Sequence, residues 1–289
     1  MNTFAREFLR MFDSILNLLG YRFFQNALIG GSIAALSCSI IGLFVILRGE
    51  SMIGDGVAHV SFGGIAIGLF LNVNPLYTAL IVSIFAVLGI SYMRNKGLAE
   101  SDSATAVILA IGFSTGLIII SLAGGFNVEL FSFLFGSVLT ISRTDLTLVS
   151  LLSIVSLTLV TIFYKELLSI TFDAQASKLM GIPVSLLSNI FNILLAVTIV
   201  LSIKVVGMIL VTALLVLPGL SALQLDEGFK KTVIMSVVFG VGSVILGIFA
   251  SAILDVATSG VIVFTLVLVF ITISSGTRLT RANKQDNIS

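Results

Sequence analysis

An aspartate and the only histidine of this chain lie four positions apart in the stretch SMIGDGVAHVSFGG, residues 51–64. If this stretch is helical, Asp55 and His59 share one face, because residues i and i+4 are neighbours on a helix surface. Carboxylate oxygen and imidazole nitrogen are ligands that divalent transition metals accept in proteins. The pair therefore indicates a metal site. An internal Asp–His hydrogen bond, or a position in water at a membrane surface, is the alternative interpretation.

The number of ligands bears on how such a site could be completed. Two ligands are too few for a closed tetrahedral site, whereas a symmetric pair of chains would supply four. Small residues in the same stretch, Gly54 with Ala58 and Gly64 with Gly68, favour the close approach of helices. The sequence thus predicts that two copies of the chain converge at Asp55 and His59.

The elements that position this pair are predicted to be membrane helices. The chain is 57% hydrophobic and 10% charged, whereas soluble domains carry roughly 25% charged residues. Apolar runs recur at the length of about 20 residues that a helix needs to cross a bilayer. The predicted spans lie near 24–47, 56–72, 76–93, 103–124, 146–164, 186–203, 205–225, 232–253 and 257–276. We therefore expect an all-α, polytopic transmembrane fold of about 8–10 membrane helices, in a single domain over residues 1–289.

Two further segments are predicted not to cross the membrane in the ordinary way. Val128 to Leu139 is apolar but short, and glycines flank it, which is typical of a re-entrant helix buried in protein. In residues 1–22, charged residues interrupt the apolar positions at helical spacing, which predicts an amphipathic helix at the membrane surface.

Basic residues predict which way the chain faces. The last three basic clusters lie at 165–178, 230–231 and 278–284. Pairs of spans separate these clusters, so they lie on one side of the membrane, and the positive-inside rule makes that side the cytoplasm. The tail, residues 277–289, is therefore predicted to be cytoplasmic. The side of the membrane on which the loops of the N-terminal half lie depends on whether Val128 to Leu139 crosses the membrane.

The polar segment TFDAQASKLMGIPV, residues 171–184, is predicted to form a short helix outside the membrane. Asp173 is suited to cap the start of this helix, Gly181 to end it, and Pro183 to block its continuation. A simple connector between two spans is the alternative interpretation.

Several function classes are disfavoured by what the sequence lacks. A net charge of +1 argues against nucleic acid as a partner. The chain contains no GxxxxGK[ST] phosphate loop, so it does not hydrolyse nucleotide by that route. Neither HExxH nor a recognisable partner for a nucleophile occurs, and the lone Cys38 cannot form an internal disulfide.

Three blocks of the sequence resemble a known family, the ABC-3 permeases of bacterial ATP-driven importers for zinc and manganese. The family's signature region resembles residues 42–68, GLFVILRGESMIGDGVAHVSFGGIAIG. Its coupling loop resembles residues 171–184, and its late glycine–proline segment resembles residues 204–225, KVVGMILVTALLVLPGLSALQL. Glu50 and Gly219 depart from the residues that are commoner in the family.

The resemblance implies a permease in the bacterial cell (inner) membrane that works as two copies with two cytoplasmic ATP-binding subunits. It also implies an extracellular metal-binding lipoprotein or periplasmic protein that delivers the ion. ATP hydrolysis would reside in the partner, so the chain itself is not expected to be an enzyme. No permanently bound cofactor is implied. The residues of HVSFGGIAIG and YKELLSITFD resemble those of the family's zinc transporters more than those of its manganese transporters. Zn2+ is therefore the predicted cargo, and Mn2+ is the second choice.

The resemblance also implies roles for particular residues. Asp55 and His59 match the family's metal site along the pathway. The coupling helix would fall on Phe172 to Gly181, with Asp173 and Ala176 as further coupling residues.

Two other classes compete with the importer. A secondary transporter driven by protons or sodium would also place an acid–histidine pair in a span, and it would need no ATPase. A membrane scaffold would leave the pair unexplained. Co-purification with an ATP-binding subunit separates these three classes.

Overall fold

The computed structural model describes residues 19–125, 128–136 and 142–286, and within these ranges every regular element is an α-helix. In chain order the helices are α1 Arg22–Leu47, α2 Ser51–Phe70, α3 Pro75–Asn95, α4 Ser101–Leu122, α5 Val128–Phe135, α6 Arg143–Ile162, α7 Tyr164–Phe172, α8 Ala174–Leu179, α9 Val184–Val206, α10 Met208–Leu223, α11 Phe229–Leu254 and α12 Thr258–Asp286. The predicted all-α fold is confirmed. Most of the predicted surface helix, residues 1–22, lies outside the described residues.

Among the described helices, 8 are long and apolar enough to cross a membrane: α1, α2, α3, α4, α6, α9, α11 and α12. The predicted span 205–225 contains the shorter helix α10, which has 16 residues. At 1.5 Å per residue α10 rises about 24 Å, less than a bilayer core of about 30 Å. It is nevertheless the helix that connects the far end of α9 to the start of α11, so it returns the chain toward the end of the bundle at which both of those helices begin. The structure therefore agrees with the predicted range of about 8–10 membrane helices.

Local sequence explains where several helices begin. The side chain of Asn74 accepts a hydrogen bond from the Leu76 amide, 3.0 Å away, and Pro75 occupies the first helical position of α3. At α6, Ser142 and Asp145 form a reciprocal capping box. These caps satisfy amide groups that the first turn of a helix leaves unpaired.

Contacts between distant segments show which helix ends lie together. Arg48, directly after α1, donates from Nε to the hydroxyl of Thr171 in α7 over 3.3 Å. Arg94, near the end of α3, forms an ion pair with Glu50, directly before α2. The ends of α1 and α3, the start of α2 and the α7–α8 pair therefore share one end of the bundle, which we call the hairpin end.

The start of α11 lies at the hairpin end as well, because the rings of Tyr164 and Phe229 are 5.7 Å apart. Basic residues described at this end are Arg48, Arg94, Lys96, Lys165, Lys178, Lys230 and Lys231. The positive-inside rule therefore predicts that the hairpin end is the cytoplasmic one. Since α5 is too short to cross, Arg94 falls on this same side.

The predicted re-entrant segment is the eight-residue helix α5, and two glycines hold its end against the turn between α9 and α10. Gly136 has φ +72° and Gly207 has φ +88°, backbone conformations that residues with a side chain rarely adopt. A Cβ on Gly207 would lie 2.5 Å from the carbonyl carbon of Phe135. The two backbones therefore meet with no room for a side chain. The predicted end of this segment at Leu139 lies outside the described residues.

We expect Gly207→Ala to destabilise the protein, because it combines a strained backbone, at about 1–3 kcal/mol, with a clash against α5. The measurement is the midpoint of thermal unfolding in detergent. The control is Gly242→Ala in α11, where a Cβ would meet nothing within 4 Å. That control is expected to be neutral or slightly stabilising. Equal midpoints for Gly207→Ala and the wild type would contradict the close approach.

The small residues of α2 pack inside the chain. A Cβ on Gly64 would lie 2.7 Å from the Cα of Ala79 in α3, and one on Gly68 would lie 2.6 Å from the Cα of Pro75. Ala58 is fully buried. The expectation that these residues serve contact between two copies was wrong, because α3 and the rest of the chain already occupy that surface.

Candidate metal-binding site

Helix α2 exposes one narrow stripe beside Asp55 and His59. The side chains of Met52, Asp55 and His59 are partly open, whereas the intervening residues are buried. Their spacing of three and four residues places them on a single face. With a rise of 1.5 Å per residue, Asp55 lies about 6 Å and His59 about 12 Å along the helix from Ser51. The pair therefore lies in the half of α2 nearer the hairpin end.

The two side chains approach each other without closing a hydrogen bond. His59 Nε2 lies 3.6 Å from Asp55 Oδ1, which is longer than a normal hydrogen bond. The side chains are 31% exposed for His59 and 44% exposed for Asp55. The internal Asp–His hydrogen bond considered from the sequence is therefore not formed, and both side chains remain partly exposed.

An aromatic contact fixes the orientation of the imidazole. The ring of Phe113 in α4 lies 5.3 Å from the His59 ring and nearly perpendicular to it, at 86°. The other ring nitrogen, Nδ1, is buried and has no hydrogen-bond partner among the described residues. Sequence reasoning missed Phe113, because an aromatic residue in an apolar helix carries no local signal of such a contact.

One copy of the chain supplies only two ligands at this place. Within the described residues, no three or more His, Cys, Asp or Glu side chains form a group that could hold a metal ion. Cys38 is buried elsewhere and contacts the hydroxyl of Ser202 at 3.3 Å. Further ligands would have to come from another chain or from water.

The ion pair and the hydrogen bond at the hairpin end were also missed from the sequence. Glu50 pairs with Arg94 rather than with its neighbour Arg48, and Arg48 instead reaches Thr171. The guanidinium of Arg48 also lies over the ring of Phe191, 4.3 Å from its centroid. These partners are 44 to 143 positions apart in the sequence, so no local pattern could indicate them.

The predicted short helix of the coupling loop is confirmed as α8, and α7 directly before it makes the segment a helical hairpin. Phe172 is the last residue of α7, and Asp173 separates it from α8 with an extended backbone. The Asp173 carboxylate accepts hydrogen bonds from the amides of Gln175 and Ala176, 2.9 and 2.8 Å away, so the predicted cap is confirmed. Gly181 follows α8 with φ +84°, a left-handed conformation that ends helices.

The hairpin presents apolar side chains at the end of the bundle that is predicted to be cytoplasmic. Phe172, Leu179 and Met180 are exposed, and Leu179 is the most open of them at 90%. Ser169 and Ser177 join α7 to α8 through hydroxyls 2.7 Å apart. An exposed apolar cluster on a braced hairpin is typical of a protein contact. Sequence reasoning identified Phe172 but missed Leu179 and Met180.

The fold defines the protein as a multi-pass cell-membrane permease with an ionisable pair on one of its helices. The family model of the ABC 3 transport family matches residues 20–276, and the chain belongs to this ABC-3 family. It is therefore a transport subunit.

Relatives of the same family match over most of their length. The manganese transport system membrane protein MntC of Halalkalibacterium halodurans is 33% identical over 246 residues, covering 85% of this chain and 84% of that protein. The manganese import system permease protein ScaB of Streptococcus gordonii is 31% identical over 259 residues, covering 90% of this chain and 93% of that protein. In the solved structure of PsaBC from Streptococcus pneumoniae in complex with Fab, one chain is 30% identical to this chain, with a TM-score of 0.81. The match covers 90% of this chain and 94% of that one.

Proposed function

We propose that this permease carries a divalent transition metal through the membrane and that two copies form the pathway, with Asp55 and His59 of both as the ion's ligands. The observation that carries this proposal is the open Asp55–His59 pair on a helix that is otherwise largely buried. An ionisable group in a membrane span is costly in lipid and normally faces a pathway or a partner. Membership in the ABC-3 family supports transport as the purpose of that pathway.

A second copy is the simplest source of the missing ligands. One chain offers a single carboxylate and a single imidazole here, and two such pairs would give the four ligands of a closed site. The stripe of Met52, Asp55 and His59 remains uncovered within the chain. A second copy that packs against this stripe would shield the Asp55 carboxylate from lipid and would also supply the remaining ligands of the metal site.

The ligand types suit a first-row transition metal, because carboxylates are typical ligands of manganese and imidazole suits zinc. We propose manganese as the first ion to test, since the relatives MntC and ScaB are named for manganese. The zinc preference predicted from the sequence stays a prediction, and competition between the two ions tests it.

The energy for transport is proposed to come from separate ATP-binding subunits that bind the α7–α8 hairpin. The exposed Phe172 and Leu179 would contact such a subunit, whereas Asp173 and Gly181 set the bounds of α8. An extracellular binding protein would deliver the ion at the opposite end of the bundle.

A physical link runs from the hairpin to the metal-binding helix. Thr171 in α7 accepts the hydrogen bond of Arg48, and only Gly49 and Glu50 separate Arg48 from α2. We infer that movement of the hairpin shifts the start of α2, and with it Asp55. Opening and closing of the pathway would then be a two-state equilibrium that ATP binding biases.

The test is uptake of radioactive manganese into proteoliposomes that hold this permease with its ATP-binding subunit and delivery protein. We expect accumulation that requires ATP and that excess unlabelled manganese suppresses. Zinc is added as competitor in a parallel series, and stronger suppression by zinc than by manganese would favour the zinc prediction. Uptake driven by a proton gradient without the ATP-binding subunit would instead support a secondary transporter.

A further inference from the structure

A large cavity lies at the hairpin end, away from Asp55 and His59. Its volume is about 780 Å³, and it is lined by the ends of α1 and α3, the start of α9 and the α7–α8 hairpin. The polar residues that matter here are Arg48, Glu50, Arg94, Thr171, Lys178 and Ser185. Neither the metal pathway nor the proposed hairpin contact requires this cavity.

Cationic side chains outnumber carboxylates in the lining. Arg48, Arg94 and Lys178 face one carboxylate, Glu50, which is already paired with Arg94. Among the described residues, neither Arg48 nor Lys178 forms an ion pair with a carboxylate. The cavity therefore carries an uncompensated positive charge.

Arg48 has a hydrogen-bonding capacity that the chain does not use. Its Nε donates to Thr171, but its Nη2 is buried without a hydrogen-bond partner among the described residues. Burial lowers the pKa of the Arg48 guanidinium from its usual value, and the neighbouring Glu50 opposes that shift. A bound anion in the cavity would supply the missing charge.

The start of α9 adds further donors to the same space. Ser185 and Leu186 lie in its first turn and line the cavity. The amide groups of a first helical turn have no partner within the helix, and no side-chain cap is found at this end among the described residues. Such a helix start, placed beside arginine side chains, is a typical setting for phosphate.

We propose that this cavity binds a phosphate group, with Arg48, Lys178 and the start of α9 as its donors. The cavity lies at the cytoplasmic end of the spans, where anionic phospholipid headgroups concentrate. It is also open to soluble phosphate from the cytoplasm. Both sources present the same anionic oxygens, and bound phosphate would brace the hairpin against the ends of α1 and α9.

The experiment uses the full-length permease without partners and two probes. In the first arm, native mass spectrometry counts lipids retained after extraction from vesicles of phosphatidylglycerol and phosphatidylcholine. In the second arm, inorganic phosphate is titrated in detergent and the thermal midpoint is followed. The variants are Lys178→Gln, which is exposed and should fold, and Arg48→Gln. The control is Lys230→Gln, an exposed lysine at the same end but outside the cavity.

We expect each cavity variant to weaken phosphate-dependent binding by about tenfold or more, because a hydrogen bond to a charged group is lost, and Lys230→Gln to leave it unchanged. An effect confined to phosphatidylglycerol identifies a lipid headgroup, and an effect of inorganic phosphate identifies a soluble ligand. Equal retention of both lipids together with no response to phosphate would overturn the proposal. So would binding that all three variants leave unchanged. Metal uptake is not measured, so failure here leaves the proposed function untouched.

Discussion

Replacing His59 or Asp55 by alanine is expected to abolish manganese uptake, with a loss on the order of 100-fold or more. Loss of a group that merely orients a metal ligand costs about 10–100-fold, and each of these changes removes two ligands at once if two copies share the site. The measurement is ATP-dependent uptake into proteoliposomes at equal protein insertion. Elemental analysis after dialysis should give one bound ion per two wild-type chains and a near-complete loss in both variants.

The matched control for this experiment is Met52→Leu. Met52 lies on the same exposed stripe of α2, one turn before Asp55, but its side chain is apolar. We expect uptake close to that of the wild type. Near-normal uptake by His59→Ala would remove the imidazole from the pathway. One bound ion per single chain would argue against a site shared by two copies.

Leu179→Asp is expected to separate the permease from its ATP-binding subunit. Leu179 is 90% exposed, so the change removes no internal contact and the fold should persist. A hot-spot residue at the centre of a protein contact is worth about 2 kcal/mol or more, and an added charge would raise that loss. We expect co-purification to fall about 30-fold or more, and transport to fall with it.

The control for Leu179→Asp is Leu98→Asp, which adds the same charge at an exposed leucine between α3 and α4. This residue lies at the same end of the bundle but outside the hairpin. We expect it to retain the ATP-binding subunit. Full co-purification with Leu179→Asp, or equal losses in both variants, would place the contact elsewhere.

The sequence determined the architecture because membrane helices are encoded locally. A run of about 20 apolar residues must become a helix in lipid, since its backbone polar groups have no other partners there. The bounds of α1 and α3 accordingly fell within two residues of the predicted spans 24–47 and 76–93. The cap at Asp173 was equally predictable, because a capping side chain bonds to amides only two and three positions away.

The sequence also identified Asp55 and His59 as a candidate pair, because four-residue spacing on a helix fixes their separation. It misjudged the glycines beside them, since a glycine pattern shows that a close approach occurs but not which helix approaches. Tertiary structure assigned Gly64 and Gly68 to contact with α3 and left the side chains of Met52, Asp55 and His59 partly open.

Only the tertiary structure revealed the arrangement at the hairpin end. The pairing of Glu50 with Arg94 joins residues 44 positions apart, and the contact of Arg48 with Thr171 spans 123 positions. Such partners depend on how helices pack rather than on any repeat along the chain. The cavity beside Arg48 exists for the same reason: its walls come from separate helices, which meet only in the folded bundle.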